Sequence, residues 1–169
     1  MLAQLVDMSL WESVVRALIP VLLAAIGGLI CERAGVFQIS LEGMMLAGAF
    51  AAVAAAHVTG SALAAAAAAA VAGVLLSLVL AFGAVSRGGN AIVLGVAINI
   101  LAVGLTSFLL PQLFGVRGSC QPEGGVRILR IAIPGLSDLP FIGPVLFNPS
   151  ILGYAALLLV PATWLVLFR

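Results

Sequence analysis

Charged residues are scarce in this sequence, since Asp, Glu, Lys and Arg make up 8% of it, whereas soluble domains contain about 25%. Apolar residues account for 64% of the chain. A chain with so few charges cannot cover a water-facing surface, which excludes an ordinary soluble domain. The formal net charge of +1 gives no basis for binding nucleic acid. We therefore expect membrane lipid, and no nucleic acid, around this protein.

Cysteine and histidine are nearly absent as well. The chain has two cysteines, Cys31 and Cys120, and a single histidine, His57. Two cysteines provide neither a metal-ligand spacing nor a disulfide framework. The sequence also has no Ser-His-Asp set, no phosphate-binding glycine loop and no pair of catalytic carboxylates. We predict no catalytic residue, no metal site and no cofactor, so an integral membrane enzyme is disfavoured.

Long apolar runs dominate what remains. They are continuous rather than alternating, which excludes a transmembrane barrel and favours helices whose backbone groups are satisfied internally. A span needs about 20 apolar residues, and no charge lies in the middle of any run. The predicted fold is all-α: a single transmembrane domain over residues 1–169, a polytopic helical bundle of about five helices. The predicted helices are Val14–Cys31, Leu41–Val58, Ala62–Val85, Ala91–Phe114 and Ser150–Phe168.

The first run is interpreted as a retained helix. Residues 1–13 contain Asp7 and Glu12 but no basic residue, whereas a cleavable signal peptide begins with positive charge.

The segment 32–43 is unusual because it has charges and glycines but is too apolar for a free loop. Glycine permits a sharp turn, and interrupted helices often line transporter sites. We predict a broken or re-entrant hairpin whose structural residues are Glu32, Arg33, Gly35 and Gly43. Its predicted substrate-pathway residues are Gln38, Ser40 and Glu42. The alternative is an ordinary loop whose charges lie among lipid headgroups.

The fourth predicted helix has a polar face. Gly95, Asn99, Ala102 and Thr106 recur at helical spacing. An asparagine in lipid must bond across helices or face a wet cavity. Asn99 and Thr106 are therefore candidate pathway residues, and interhelical hydrogen bonding is an equally good interpretation.

Residues 115–149 form a long connection rich in proline and glycine. Arginine counts do not orient the chain, because Arg33, Arg87 and Arg169 fall on one side of five spans and four arginines fall on the other.

The segment 32–50 resembles the hallmark segment of ABC importer permeases for nucleosides and simple sugars, which are similar to ribose and branched-chain amino-acid permeases. The residues that carry the resemblance are Glu32-Arg33, Gly35-Val36, Leu41-Glu42-Gly43-Met44-Met45 and Gly48-Ala49-Phe50, with later matches at 90–106 and 133–147. Gln38 and Ser40 stand where the family pattern has Asn and Gly.

This resemblance implies a multi-pass permease of the bacterial inner membrane. Its implied partners are cytoplasmic ATPase subunits, which alone use ATP, a second permease subunit and an extracytoplasmic substrate-binding protein. It places Arg33, Arg87 and Arg169 on the cytoplasmic side and residues 115–149 outside as an extracytoplasmic loop. It also implies that the chain corresponds to the N-terminal half of such a permease. The alternative function is a small membrane scaffold or interaction subunit without a substrate.

Overall fold

The structure is a computed structural model that describes residues 8–115 and 151–168. The described residues form helices and their connections and contain no strand, so the predicted all-α class is confirmed. The helices are α1 (Met8–Arg33), α2 (Leu41–Thr59), α3 (Ala62–Ala81), α4 (Ala91–Phe114) and α5 (Ile151–Phe168), and α3 continues into a π-helical turn at Phe82–Ser86.

The five helices correspond to the five predicted runs. Three of them are long and apolar enough to cross a bilayer, namely α2, α4 and the α3 stretch Ala62–Ser86. In α5 the apolar part is Gly153–Leu167, which is shorter. The predicted count of five spans is therefore approximate. The predicted loop at 115–149 lies outside the described residues apart from Gly115.

The chain divides into two compact units, Met1–Ile30 with Ile128–Arg169, and Cys31–Arg127. In the second unit α2 contacts both α3 and α4. α2 and α3 pack directly against each other at Gly48, where an added Cβ would be in ordinary van der Waals contact, 3.6 Å from the Ala69 carbonyl oxygen. This unit contains the candidate site.

The opposite face of α3 is covered with exposed aliphatic side chains. Val71, Val74, Leu75, Leu78 and Val79 are each more than half exposed. A water-soluble protein rarely leaves so large a contiguous apolar surface uncovered. Lipid is the solvent that suits this face.

An interruption separates the first two helices, as predicted, but it is shorter than 32–43, because residues 32 and 33 belong to α1 and residues 41–43 to α2. Glycine ends α1. Gly35 adopts φ +83°, its N–H donates to the Glu32 carbonyl at 3.0 Å, and the Val36 N–H donates to the Cys31 carbonyl at 3.0 Å. This pair of bonds is a Schellman motif, which favours glycine at the left-handed position. Residues 36–39 then continue without helical structure to the start of α2 at Leu41.

The N-termini of α3 and α4 are capped differently. Asn90 accepts hydrogen bonds from the N–H groups of Ile92 (2.9 Å) and Val93 (3.4 Å), whereas the Ser61 side chain makes no capping bond to α3. Asn90→Ala should therefore lower the free energy of unfolding by about 1 kcal/mol. The matched variant Ser61→Ala should change it little. Thermal unfolding in detergent measures both, and equal losses would contradict the assignment of the cap.

Candidate functional site

The Asn99 carboxamide joins α4 to the start of α2. Its Oδ1 accepts a hydrogen bond from the Gly43 N–H at 2.8 Å, and its Nδ2 donates to the Ile39 carbonyl at 3.1 Å. Gly43 lies in the first turn of α2, where N–H groups have no partner within the helix. Asn99 thus supplies from another helix the acceptor that an N-cap side chain normally provides.

Ser40 precedes α2 but does not cap it. Its backbone has φ −77° and ψ 7°, and its side chain makes no capping bond. Ser40 is fully buried, and its hydroxyl lies 3.9 Å from the Met44 sulfur. The capping acceptor therefore comes from Asn99 rather than from the adjacent serine.

Two glycines permit the close approach of these backbones. A Cβ on Gly43 would lie 2.6 Å from Asn99 Oδ1, 2.9 Å from Asn99 Cα and 3.2 Å from the Ala102 Cβ. A Cβ on Gly95 would lie 3.1 Å from the Ile39 Cβ and 3.3 Å from the Ser40 nitrogen. Both glycines are buried, so the absence of a side chain allows the α2 start and α4 to touch.

An open cavity of about 240 Å³ lies beside the contact between Gly43 and Asn99. Its lining residues are Glu42, Gly43, Asn99, Ile100 and Val103. Glu42 is exposed and belongs to the first turn of α2, where the positive end of the helix dipole favours a carboxylate. The cavity therefore combines one carboxylate and one carboxamide with aliphatic walls, a composition typical of small-molecule sites.

The other predicted pathway residues, Gln38, Ser40 and Thr106, do not line the cavity. Gln38 donates from Nε2 to the Met44 sulfur at 3.3 Å, beside Ser40. The Thr106 hydroxyl donates to the Ala102 carbonyl of its own helix at 2.7 Å and is buried. The substrate roles assigned to all five pathway residues remain predictions.

The polar face predicted for α4 is the buried face of this helix. Gly95, Ile98, Ala102 and Thr106 are buried, and Asn99 is half-buried among them. Interhelical hydrogen bonding, one of the two interpretations of this face, is what the Asn99 geometry provides. The Ile39 carbonyl and the Met44 sulfur are partners that the sequence did not indicate.

Arg87 follows the π-helical turn at the end of α3. Its guanidinium carbon lies 5.1 Å from the centre of the Phe82 ring. Its backbone N–H donates to the Phe82 carbonyl at 3.1 Å. The connection then doubles back, with the Gly89 N–H donating to the Gly83 carbonyl at 3.0 Å. Of the other arginines expected on this side, Arg33 ends α1 and Arg169 lies outside the described residues.

Three aromatic rings that the sequence did not indicate as a group lie together in the C-terminal halves of α2 and α4. Phe114 packs edge-to-face with His57, at 5.2 Å between ring centres, and with Phe50, at 6.3 Å. His57 is exposed, and its ring contacts α4 through Phe114. Across residues 8–115 and 151–168, no group of three or more His, Cys, Asp or Glu side chains could hold a metal ion.

Comparison with known proteins assigns the chain to a family. The family described as "Branched-chain amino acid transport system / permease component" matches residues 10–169. No solved structure matches the chain significantly.

Three curated permeases are similar to the chain. TsgC13 of Haloferax volcanii is 35% identical over 95% of this chain and 48% of its own length. Its name assigns it provisionally as a glucose ABC transporter permease. The guanosine ABC transporter permease NupQ of Bacillus subtilis is 39% identical over 89% of this chain and 49% of its own length. The nucleoside ABC transporter permease NupC of Lactococcus lactis is 31% identical over 89% of this chain and 49% of its own length.

The chain spans about half the length of the curated relatives that it matches. The relatives are membrane permease subunits rather than enzymes, and the apolar helices α2, α3 and α4 suit the same location. The chain is therefore a multi-pass helical protein of the plasma membrane, and it belongs to the permease family of branched-chain amino acid transport systems.

Proposed function

We propose that the chain forms part of the translocation pathway of an ABC importer for nucleosides or simple sugars. The observation that supports this most is the cavity lined by Glu42 of α2 and by Asn99, Ile100 and Val103 of α4. Nucleosides and sugars present hydroxyl donors along with weakly polar ring faces. A carboxylate accepts hydrogen bonds from hydroxyl groups, and aliphatic side chains pack against ring faces. The names of the relatives point to the same substrate classes.

The partners follow from this role. Cytoplasmic ATPase subunits bind and hydrolyse ATP, a second permease subunit completes the pathway, and an extracytoplasmic binding protein delivers the substrate. ATP use belongs to the partner subunits, so the chain itself needs no cofactor. Arg87 and Arg33 lie on the cytoplasmic side in this arrangement, and residues 115–149 face outward as the extracytoplasmic loop.

Reconstitution tests this function. The intact transporter, assembled in vesicles with its ATPase subunits and binding protein, should hydrolyse ATP several-fold faster when the binding protein carries guanosine or glucose. It should also accumulate that substrate inside the vesicles. The binding protein without substrate is the control. Hydrolysis that no nucleoside or sugar stimulates would contradict import of these classes.

A membrane scaffold without a substrate is the second candidate. The two backbone bonds of Asn99 favour it, because they account for a polar side chain in an apolar helix without any ligand. Under this function, substitutions in the cavity would change stability but never uptake. The variant Glu42→Leu separates the two functions, because only a role in the pathway predicts that it reduces uptake.

A further inference from the structure

We infer that Asn99 is a positioning residue that holds the first turn of α2, and thereby Glu42, against α4. This inference rests on the proposed function, because it describes how the pathway cavity is kept in shape. Of the two sequence-based interpretations of Asn99, it develops interhelical hydrogen bonding rather than direct contact with the substrate.

The first argument is the pairing of donor and acceptor. Oδ1 takes the Gly43 N–H at 2.8 Å and Nδ2 gives a hydrogen to the Ile39 carbonyl at 3.1 Å. These two backbone groups lie on either side of the helix start, Ile39 before it and Gly43 within its first turn. One planar carboxamide therefore fixes the direction in which the chain enters α2. A carboxamide carries both the donor and the acceptor that these two bonds need.

The second argument is that no local group substitutes for Asn99. Ser40 occupies the capping position, but its side chain makes no capping bond and lies by Met44. In an apolar surrounding, an N–H without a partner is costly. Without Asn99, the Gly43 N–H would lose its acceptor and the first turn of α2 would tend to unwind.

The third argument is the position of Glu42. It immediately precedes Gly43 and lines the same cavity as Asn99. Within residues 8–115 and 151–168, the Glu42 side chain has no hydrogen-bond or ionic partner. Its placement therefore depends on the backbone of the first turn, which Asn99 secures.

The test combines hydrogen exchange with transport in the intact transporter. Asn99→Leu removes both bonds, and Asn99→Asp keeps only the acceptor. We expect amide exchange in peptides covering 39–46 to rise about tenfold in Asn99→Leu, the usual effect of losing a buried hydrogen bond. The rise should be smaller in Asn99→Asp, and exchange in α3 should stay unchanged. Ser77→Ala is the control, because its hydroxyl bonds to the Val74 carbonyl within α3.

Transport kinetics distinguish positioning from substrate contact. If Asn99 positions Glu42, each Asn99 variant should raise the KM for uptake, as Glu42→Leu does, and by a similar factor for every nucleoside or sugar that the transporter takes up. Asn99→Asp should retain more activity than Asn99→Leu. Unchanged exchange at 39–46 in both variants, or a KM that rises for one substrate only, would overturn the inference. If the unaltered transporter takes up no substrate, the proposed function fails, and the exchange data still decide the role of Asn99.

Discussion

Gly43→Ala is expected to separate the start of α2 from α4 and to lower the free energy of unfolding by about 3 kcal/mol. The added Cβ would lie 2.9 Å from the Asn99 Cα, a backbone atom that cannot rotate away, and 2.6 Å from the Asn99 oxygen. Relief requires the helices to move apart, which would stretch the Gly43–Asn99 hydrogen bond as well. Thermal unfolding of the purified permease in detergent measures this loss.

Gly104→Ala is the matched control for this substitution. Gly104 lies on α4, and a Cβ built there meets no atom within 4 Å. Alanine is a better helix former than glycine by about 1 kcal/mol, so this variant should be neutral or slightly more stable. If Gly43→Ala were as stable as Gly104→Ala, the close packing of α2 on α4 described above would be wrong.

Glu42→Leu is expected to reduce substrate uptake by about tenfold to a hundredfold while the protein still assembles. A hydrogen bond to a charged group contributes about 1.5–3 kcal/mol, and every 1.4 kcal/mol corresponds to a factor of about ten in affinity. Stability should change little, because the Glu42 side chain is exposed at the cavity. Uptake assays over a range of substrate concentrations should show the loss as a higher KM.

Glu32→Gln is the control for removing a carboxylate. Glu32 is exposed near the end of α1 and does not line the cavity, so uptake should remain close to that of the unaltered protein. Equal losses in the Glu32 and Glu42 variants would mean that general charge, rather than the cavity, controls uptake. Full activity of Glu42→Leu would favour the scaffold function.

Much of the fold could be predicted from the sequence because lipid imposes a simple rule on length and polarity. The predicted bounds of the fourth helix, Ala91–Phe114, are those of α4. Gly35 was correctly placed in the interruption between α1 and α2 because left-handed backbone favours glycine. The small and polar face of α4 was also predicted correctly, because helical spacing alone identifies it.

The partners within the site could not be predicted. Asn99 bonds to backbone groups of Gly43 and Ile39, which lie 56 and 60 positions away in the chain. Such pairs depend on how two helices pack, and backbone groups are the same at every residue. Ser40 directly precedes α2, yet its buried hydroxyl lies by Met44 and makes no capping bond. The π-helical turn after α3 has no composition signal either, because Phe82–Ser86 reads as an ordinary helix end.

The most direct test of the account is the water accessibility of the cavity. Val103 lines the cavity and is 51% exposed, whereas Val79 lies on the outer face of α3 and is 55% exposed. Each is replaced by cysteine in a background without Cys31 and Cys120. A thiol reacts as its thiolate, which forms in water rather than in lipid.

In membrane vesicles containing the intact transporter, a charged, membrane-impermeant thiol reagent should modify Val103→Cys, and substrate should slow that reaction. Val79→Cys should stay unmodified. Labelling of Val79→Cys at the same rate, or labelling of Val103→Cys that no nucleoside or sugar slows, would contradict the assignment of this cavity to the translocation pathway.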